Sequence, residues 1–141
     1  MAKQKFPEPT AGGLIFNPEG KIFLMKSHKW SDKYTVPGGH IELGERIEDA
    51  LKREIKEETN LDIYDIEFVC VQEFIFGESF WKKAHFIFFD YACKTKSTEV
   101  KLNDEAQEYV WTTLDEAFKL PIDVYTKYMI EEYIRKKKIK K

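Results

Sequence analysis

The spacing of apolar positions changes several times along the chain, and each change marks an element. Thr10–Phe16 and Lys21–Ser27 are apolar-rich runs joined by Asn17-Pro18-Glu19-Gly20, whose proline and glycine suit a tight turn, so a hairpin is predicted. Thr35–Ile41 reads as short strand broken by Gly38 and Gly39. From Glu45 to Glu58 the period becomes helical, with Ile47, Ala50, Leu51 and Ile55 on one face. Ile66–Phe76 and Ala84–Cys93 carry aromatic and β-branched residues at both parities, which predicts central strands covered on both faces. Between them lies Gly77–Lys83 with its Phe80-Trp81 pair. Gln107–Thr112 is read as a further strand and Leu114–Leu120 as a short helix stopped by Pro121. Ile122, Tyr125, Met129 and Tyr133 then recur at helical spacing and define a C-terminal helix. No internal repeat or low-complexity linker interrupts this order, and one domain over residues 1–141 is expected.

Three glutamates of the first helix break its pattern. At about 100° per residue, Glu54 projects into the apolar stripe, with Glu58 roughly 40° to one side and Glu57 about 60° to the other. Lys52, Lys56, Asp49 and Glu48 occupy the opposite, solvated face. Carboxylates gathered against the body of a protein repel one another and lose hydration, so a positive partner is required. Oxygen-only ligands suit Mg²⁺ or Mn²⁺. The competing explanation is that the helix simply emerges into water at this end, where glutamate is an ordinary helix former.

The flanks add to the first explanation. Val36-Pro37-Gly38-Gly39-His40-Ile41-Glu42-Leu43-Gly44 allows close backbone approach to a ligand, and Asn60 followed by Leu61 suits a left-handed helix end. The order is loop, helix, loop. Gly39, five residues, Glu45, seven residues, then Arg53-Glu54-Ile55-Lys56-Glu57-Glu58-Thr59-Asn60-Leu61 resembles the signature of the Nudix hydrolases, G-x5-E-x7-R-E-U-x-E-E-x-G-U, where U is bulky and aliphatic. The match runs over 23 residues, 39–61, and departs only at Asn60, where the family has glycine and asparagine is the next best left-handed cap.

The resemblance implies an α/β fold, the Nudix α/β/α sandwich with a mixed β-sheet, and hydrolysis of a pyrophosphate bond in a nucleoside triphosphate or a nucleoside diphosphate linked to another moiety. It implies Glu57 and Glu58 as metal ligands for Mg²⁺, with Mn²⁺ able to substitute. Glu54 would ligate the metal or take the proton of the attacking water, and the Gly38 carbonyl would contribute to the site. Gly39 and Glu45 are the structural positions of the motif. Arg53, rotated from the glutamates, is cast as the ion-pair partner of Glu45 that supports the catalytic geometry. The general base stays open between Glu54, Glu105 and Glu108. Lys26 is a candidate for substrate phosphate, against the alternative of a surface lysine. Trp30, Tyr34, Phe80 and Trp81 are candidates for stacking on a base, against packing or contacts between copies in a homodimer. ADP-ribose hydrolases of the family tend to have a proline about 15 residues past the motif, and dinucleoside polyphosphate hydrolases a tyrosine. Ile75-Phe76-Gly77-Glu78 has neither, which favours a nucleoside triphosphate or general nucleoside diphosphate derivative. The alternative is a noncatalytic Nudix-fold sensor of a nucleotide metabolite, although such modules commonly lose motif carboxylates.

Composition narrows the partners. A net charge of -2 with interspersed signs gives no footprint for a stable nucleic-acid complex. The basic stretch Arg135–Lys141 is read as a solvated helix end. No run of 18 apolar residues occurs and Met1–Pro7 has no secretory character, so no membrane association and a cytoplasmic location are expected. Cys70 and Cys93 lack metal-type spacing and are read as free thiols that fill the core.

Overall fold

A computed structural model describes residues 4–139, with the side chain of Ile139 left out. Lys140 and Lys141, the end of the basic stretch, lie outside the described residues. Strands are β1 (Glu8–Phe16), β2 (Ile22–Ser27), β3 (Lys33–Thr35), β4 (Gly38–His40), β5 (Ile63–Ile75), β6 (His85–Thr95) and β7 (Glu108–Thr112). Helices are α1 (Ile47–Thr59), α2 (Leu114–Ala117) and α3 (Val124–Ile139), with a 3₁₀ turn at His28–Trp30.

The sheet is mixed. β1 runs parallel to β6 along its whole length, whereas the other strand-to-strand pairings among the described residues are antiparallel. The main path is β3-β2-β1-β6-β5, with β4 on β1 and β7 on β2. Alternation along β1 divides its side chains between two cores. Ala11 and Ile15 pack with Leu51 and Ile55 of α1, while Leu14 packs with Met129 and Ile130 of α3. Helices therefore cover both faces, as the expected sandwich requires.

The structure corrects several boundaries. α1 begins at Ile47, because Arg46 has extended backbone and Glu45 belongs to a tight turn in which its amide bonds the Glu42 carbonyl. The glycine-rich lead-in is partly regular, since Gly38, Gly39 and His40 pair with Gly12, Ala11 and Thr10. α2 is shorter than the predicted helix, ending at Ala117, and α3 starts at Val124, leaving Ile122 to bridge Tyr34. β5 is not a central strand. It lies at the end of the sheet path, with Phe68, Val71 and Ile75 exposed, and its pairing with β6 shifts register twice. Such irregularities blunt an edge strand against pairing with other chains. Cys93 is buried and Cys70 half-buried, both free thiols whose pKa burial pushes up to about 12, and the Asp90 carboxyl adds to the rise at Cys70.

Asn60 ends α1 in the left-handed conformation, φ 73°. Its amide returns to the Lys56 carbonyl, and its side-chain Nδ2 donates to the Glu99 carbonyl at 3.1 Å. Glycine would relieve the backbone and lose that exposed bond, two effects of opposite sign and similar size. Asn60→Gly is expected to leave hydrolysis unchanged and to move stability by less than about 1 kcal/mol, read by denaturant melts.

Candidate active site

The motif converges through close backbone contacts. A Cβ on Gly38 would stand 2.1 Å from the Ala11 carbonyl oxygen, so glycine is what allows β4 to pair with β1 here. A Cβ on Gly39 would stand 2.3 Å from the Glu54 carboxyl carbon, so the glycine leaves room for that carboxylate. Glu58 is 4% exposed and accepts the Gly38 amide at 3.2 Å. Both glutamates line a cavity of about 290 Å³, which Gly38, Gly39, Lys29 and Glu105 also line.

Arg53 is the hub on the outer side. Its Nε donates to Glu45 Oε2 at 2.8 Å and its Nη2 to Glu45 Oε1 at 3.0 Å, a bidentate pair. Nη1 reaches Glu54 at 3.0 Å and Glu57 at 3.1 Å, and Nη2 also bonds the His40 carbonyl. One guanidinium thus ties the loop before α1 to the carboxylates on it. Its fork holds the Glu45 carboxyl down at about 2.

The NUDIX domain family model matches residues 6–133, nearly the whole chain. The chain belongs to this family. Among curated proteins it is similar to the nucleoside triphosphatase NudI of Escherichia coli, 28% identical over 101 residues that cover 67% of this chain and 72% of NudI. The fold is similar to the MutT NUDIX hydrolase of Burkholderia pseudomallei, with a TM-score of 0.78, 24% identity, and 91% of this chain and 98% of that chain covered. It is also similar to the MutT protein of Methanosarcina mazei Go1, with a TM-score of 0.79, 22% identity, and 97% and 99% covered. This chain is a Nudix pyrophosphohydrolase, and the enzymes of its family use divalent cations.

Not every residue singled out in the Nudix sequence reaches the cavity. Glu54, Glu58, Gly38, Gly39 and Glu105 line it, as do Trp30 and Phe80. Glu57 is exposed and held by Arg53 outside that lining. Lys26 is not brought to the cavity. It pairs across the sheet with both Glu108 and Tyr34, and its ammonium sits 3.4 Å from Glu108 and 5.7 Å from the Tyr34 ring centre. Glu108 and Tyr34 are hydrogen-bonded to each other there, and neither they nor Trp81 line the cavity. The lysine that does is Lys29, three residues on, which donates to both Glu105 oxygens at 3.0 and 3.2 Å. The 3₁₀ turn after β2 swings Lys29 inward, a change of direction that strand alternation does not reveal.

Burial, then the Glu54 carboxyl, push the Glu58 pKa up to about 9, with Glu105 adding to the rise and the Gly38 amide opposing it. A buried carboxyl held protonated by its neighbours is a position where a divalent cation can replace the proton, and the donors are all oxygen, the chemistry that hard cations select. The residues fit such an ion by chemistry, although among the described residues no three acidic, histidine or cysteine side chains form a ready group around one. Glu57 and Glu105 are engaged instead by Arg53 and Lys29.

Because the folded pKa of Glu58 lies above its unfolded value, the folded protein binds more protons than the unfolded chain between about 4.5 and about 9. Its contribution is fully present below that window and is lost as pH rises through it. Asp90, raised by burial to about 6, acts in the same direction over the lower part. Metal-free protein is expected to melt at progressively lower temperature from pH 5 to 9, and Glu58→Gln to flatten the decline above pH 6. Parallel curves for the two proteins would contradict the burial of charge at Glu58.

Proposed function

We propose that this chain hydrolyses a nucleoside triphosphate to the monophosphate and pyrophosphate with Mg²⁺, and that Glu54 and Glu58 hold the ion together with Glu57, the Gly38 carbonyl and oxygens of the substrate. The reading is carried by the meeting of the buried Glu58, the half-buried Glu54, a lysine and a further carboxylate, Glu105, in one cavity with an aromatic wall. Similarity to the nucleoside triphosphatase NudI supports the triphosphate over other diphosphate derivatives. Likeness to the NUDIX domain of Shewanella oneidensis NrtR complexed with ADP ribose, at 17% identity, is one of fold only and does not bring ADP ribose to this chain.

The bound cation would supply positive charge to the phosphate oxygens and lower the pKa of an associated water. Lys29 binds a phosphate oxygen, and in doing so leaves Glu105. Glu105, no longer neutralised, accepts a proton from water as the water oxygen bonds to phosphorus and the bond to the leaving pyrophosphate oxygen breaks. Arg53 acts at one remove. It positions Glu54 and Glu57 through Nη1 while its bidentate pair with Glu45 fixes the loop.

Chromatographic measurement of the mononucleotide released from nucleoside triphosphates, nucleotide sugars, ADP-ribose and dinucleoside polyphosphates, each with Mg²⁺, tests the reaction. Turnover of triphosphates at least about tenfold above the others is expected, and a reversed order would overturn the substrate class. Glu105→Gln is expected to lower kcat by about 10²-fold at every Mg²⁺ concentration while leaving the half-saturating concentration little altered. Rescue by high Mg²⁺ or by Mn²⁺ would make Glu105 a metal ligand instead.

A further inference from the structure

The direction of Lys29 is set by contacts outside the cavity. Its 3₁₀ turn runs on into Ser31 and Asp32, whose backbone is left-handed at φ 59° and 58°, the only adjacent non-glycine pair of that kind among the described residues. Left-handed backbone costs an L-residue free energy, so two in succession persist only where the surroundings hold them. Two of the holding contacts are internal to the turn. Ser27 Oγ accepts the Lys29 amide at 3.2 Å, and the Ser27 carbonyl accepts the Asp32 amide at 3.0 Å.

Three more come from the segment 77–83 between β5 and β6. The Trp81 amide donates to the Lys29 carbonyl at 2.7 Å, Ser31 Oγ donates to the Ser79 carbonyl at 3.0 Å, and the Phe80 ring packs on Trp30 with 4.5 Å between centres. The segment is itself anchored. The Phe76 amide closes it on the Ala84 carbonyl at 2.9 Å, a Cβ on Gly77 would stand 2.7 Å from the Phe74 ring, and the Phe80 ring meets those of Phe74 and Phe86. Ser31, Ser79 and Trp81 do not line the cavity, whereas Lys29 does, with its ammonium on Glu105.

Resting on the reading above that Lys29 binds a phosphate oxygen, we propose that segment 77–83 is a clamp that aims Lys29 into the cavity, and that Ser31 is a positioning residue for hydrolysis that acts through Lys29. The clamp grips the turn at two places, the Lys29 carbonyl and the Ser31 hydroxyl. A lysine side chain has many rotamers, so holding its ammonium at one place depends on a fixed backbone beneath it. With the Ser31 contact gone, the left-handed pair has one fewer hydrogen bond to hold it, the turn spreads over other backbone conformations, and the ammonium spends less time where a phosphate meets it. An ammonium that binds phosphate equally in the ground and transition states changes KM and leaves kcat alone.

The test is a double-mutant cycle on the whole protein with Mg²⁺. KM and kcat are measured by mononucleotide release from whichever of GTP, ATP, CTP and UTP is turned over fastest, and affinity for inorganic tripolyphosphate is measured by calorimetry. Lys29→Met is expected to raise KM about 10- to 100-fold, the range for losing one hydrogen bond to a charged group. Ser31→Gly removes the hydroxyl while suiting the left-handed backbone, so the fold is kept; KM is expected to rise about 3- to 10-fold with kcat within about twofold. In the Lys29→Met background the same change is expected to move KM by less than about twofold. Ser31→Asn, which tolerates left-handed backbone and carries a side-chain donor, is expected to return KM to within about twofold of the native value. Tripolyphosphate affinity follows the same pattern. Unaltered KM and affinity in Ser31→Gly, equal effects of Ser31→Gly with and without Lys29, or no effect of Lys29→Met overturn the clamp and leave hydrolysis itself in place. The expected pattern in tripolyphosphate binding without hydrolysis of any triphosphate supports the clamp and removes the reaction instead.

Discussion

Two carboxylates share a confined space where β4 passes beneath α1, and much of the local sequence serves to make that tolerable. Glu54 fits because residue 39 has no side chain, and β4 can pair with β1 because residue 38 has none. Glu58 is buried beside Glu54, with the Gly38 amide as one of its donors. Desolvation and like charge oppose ionisation of Glu58, so the folded apoprotein binds a proton that the unfolded chain would release. Charge compensation from Arg53 arrives on the outer side only. The inner side therefore favours a cation in the cavity.

The same constraint explains how the other charges are arranged. Glu57 and Glu105 stand apart from the pair, each with its own counterion, Arg53 and Lys29 respectively. Gathering all four carboxylates without a metal would add repulsion that Lys29 alone does not balance, whereas exposed pairs of this kind exchange partners at little cost. The Lys29 contact is thus an exchangeable one. In the proposed mechanism a phosphate group entering the cavity competes for that ammonium and frees Glu105 to act as the base.

Much of this was legible in the sequence because it is local. Helical spacing placed Glu54 and Glu58 on the inward side of α1, and the glycine pair announced a close approach, which the contacts at residues 38 and 39 display. The sandwich and its mixed sheet also followed from element order and the motif. What depended on tertiary pairing was less visible. Both parities of β5 are apolar, which read as a central strand, yet β5 lies at the edge because its position is decided by β6 pairing with β1. Lys26 lies within β2, whereas Lys29 sits in the 3₁₀ turn that follows, whose change of direction strand alternation does not reveal. Asp90 carried a signal that went unused, a lone acid inside the run from Phe86 to Cys93.

The central claim is that a divalent cation takes the place of a proton on the buried Glu58 carboxyl, beside Glu54. It is tested most directly by calorimetric titration of Mg²⁺ into metal-free protein at pH 7.5, in two buffers with different ionisation enthalpies. Release of about one proton per ion bound is expected from the native protein, and close to none from Glu58→Gln. Binding without proton release by the native protein would contradict the account, because it would mean that Glu58 was already ionised before the metal arrived.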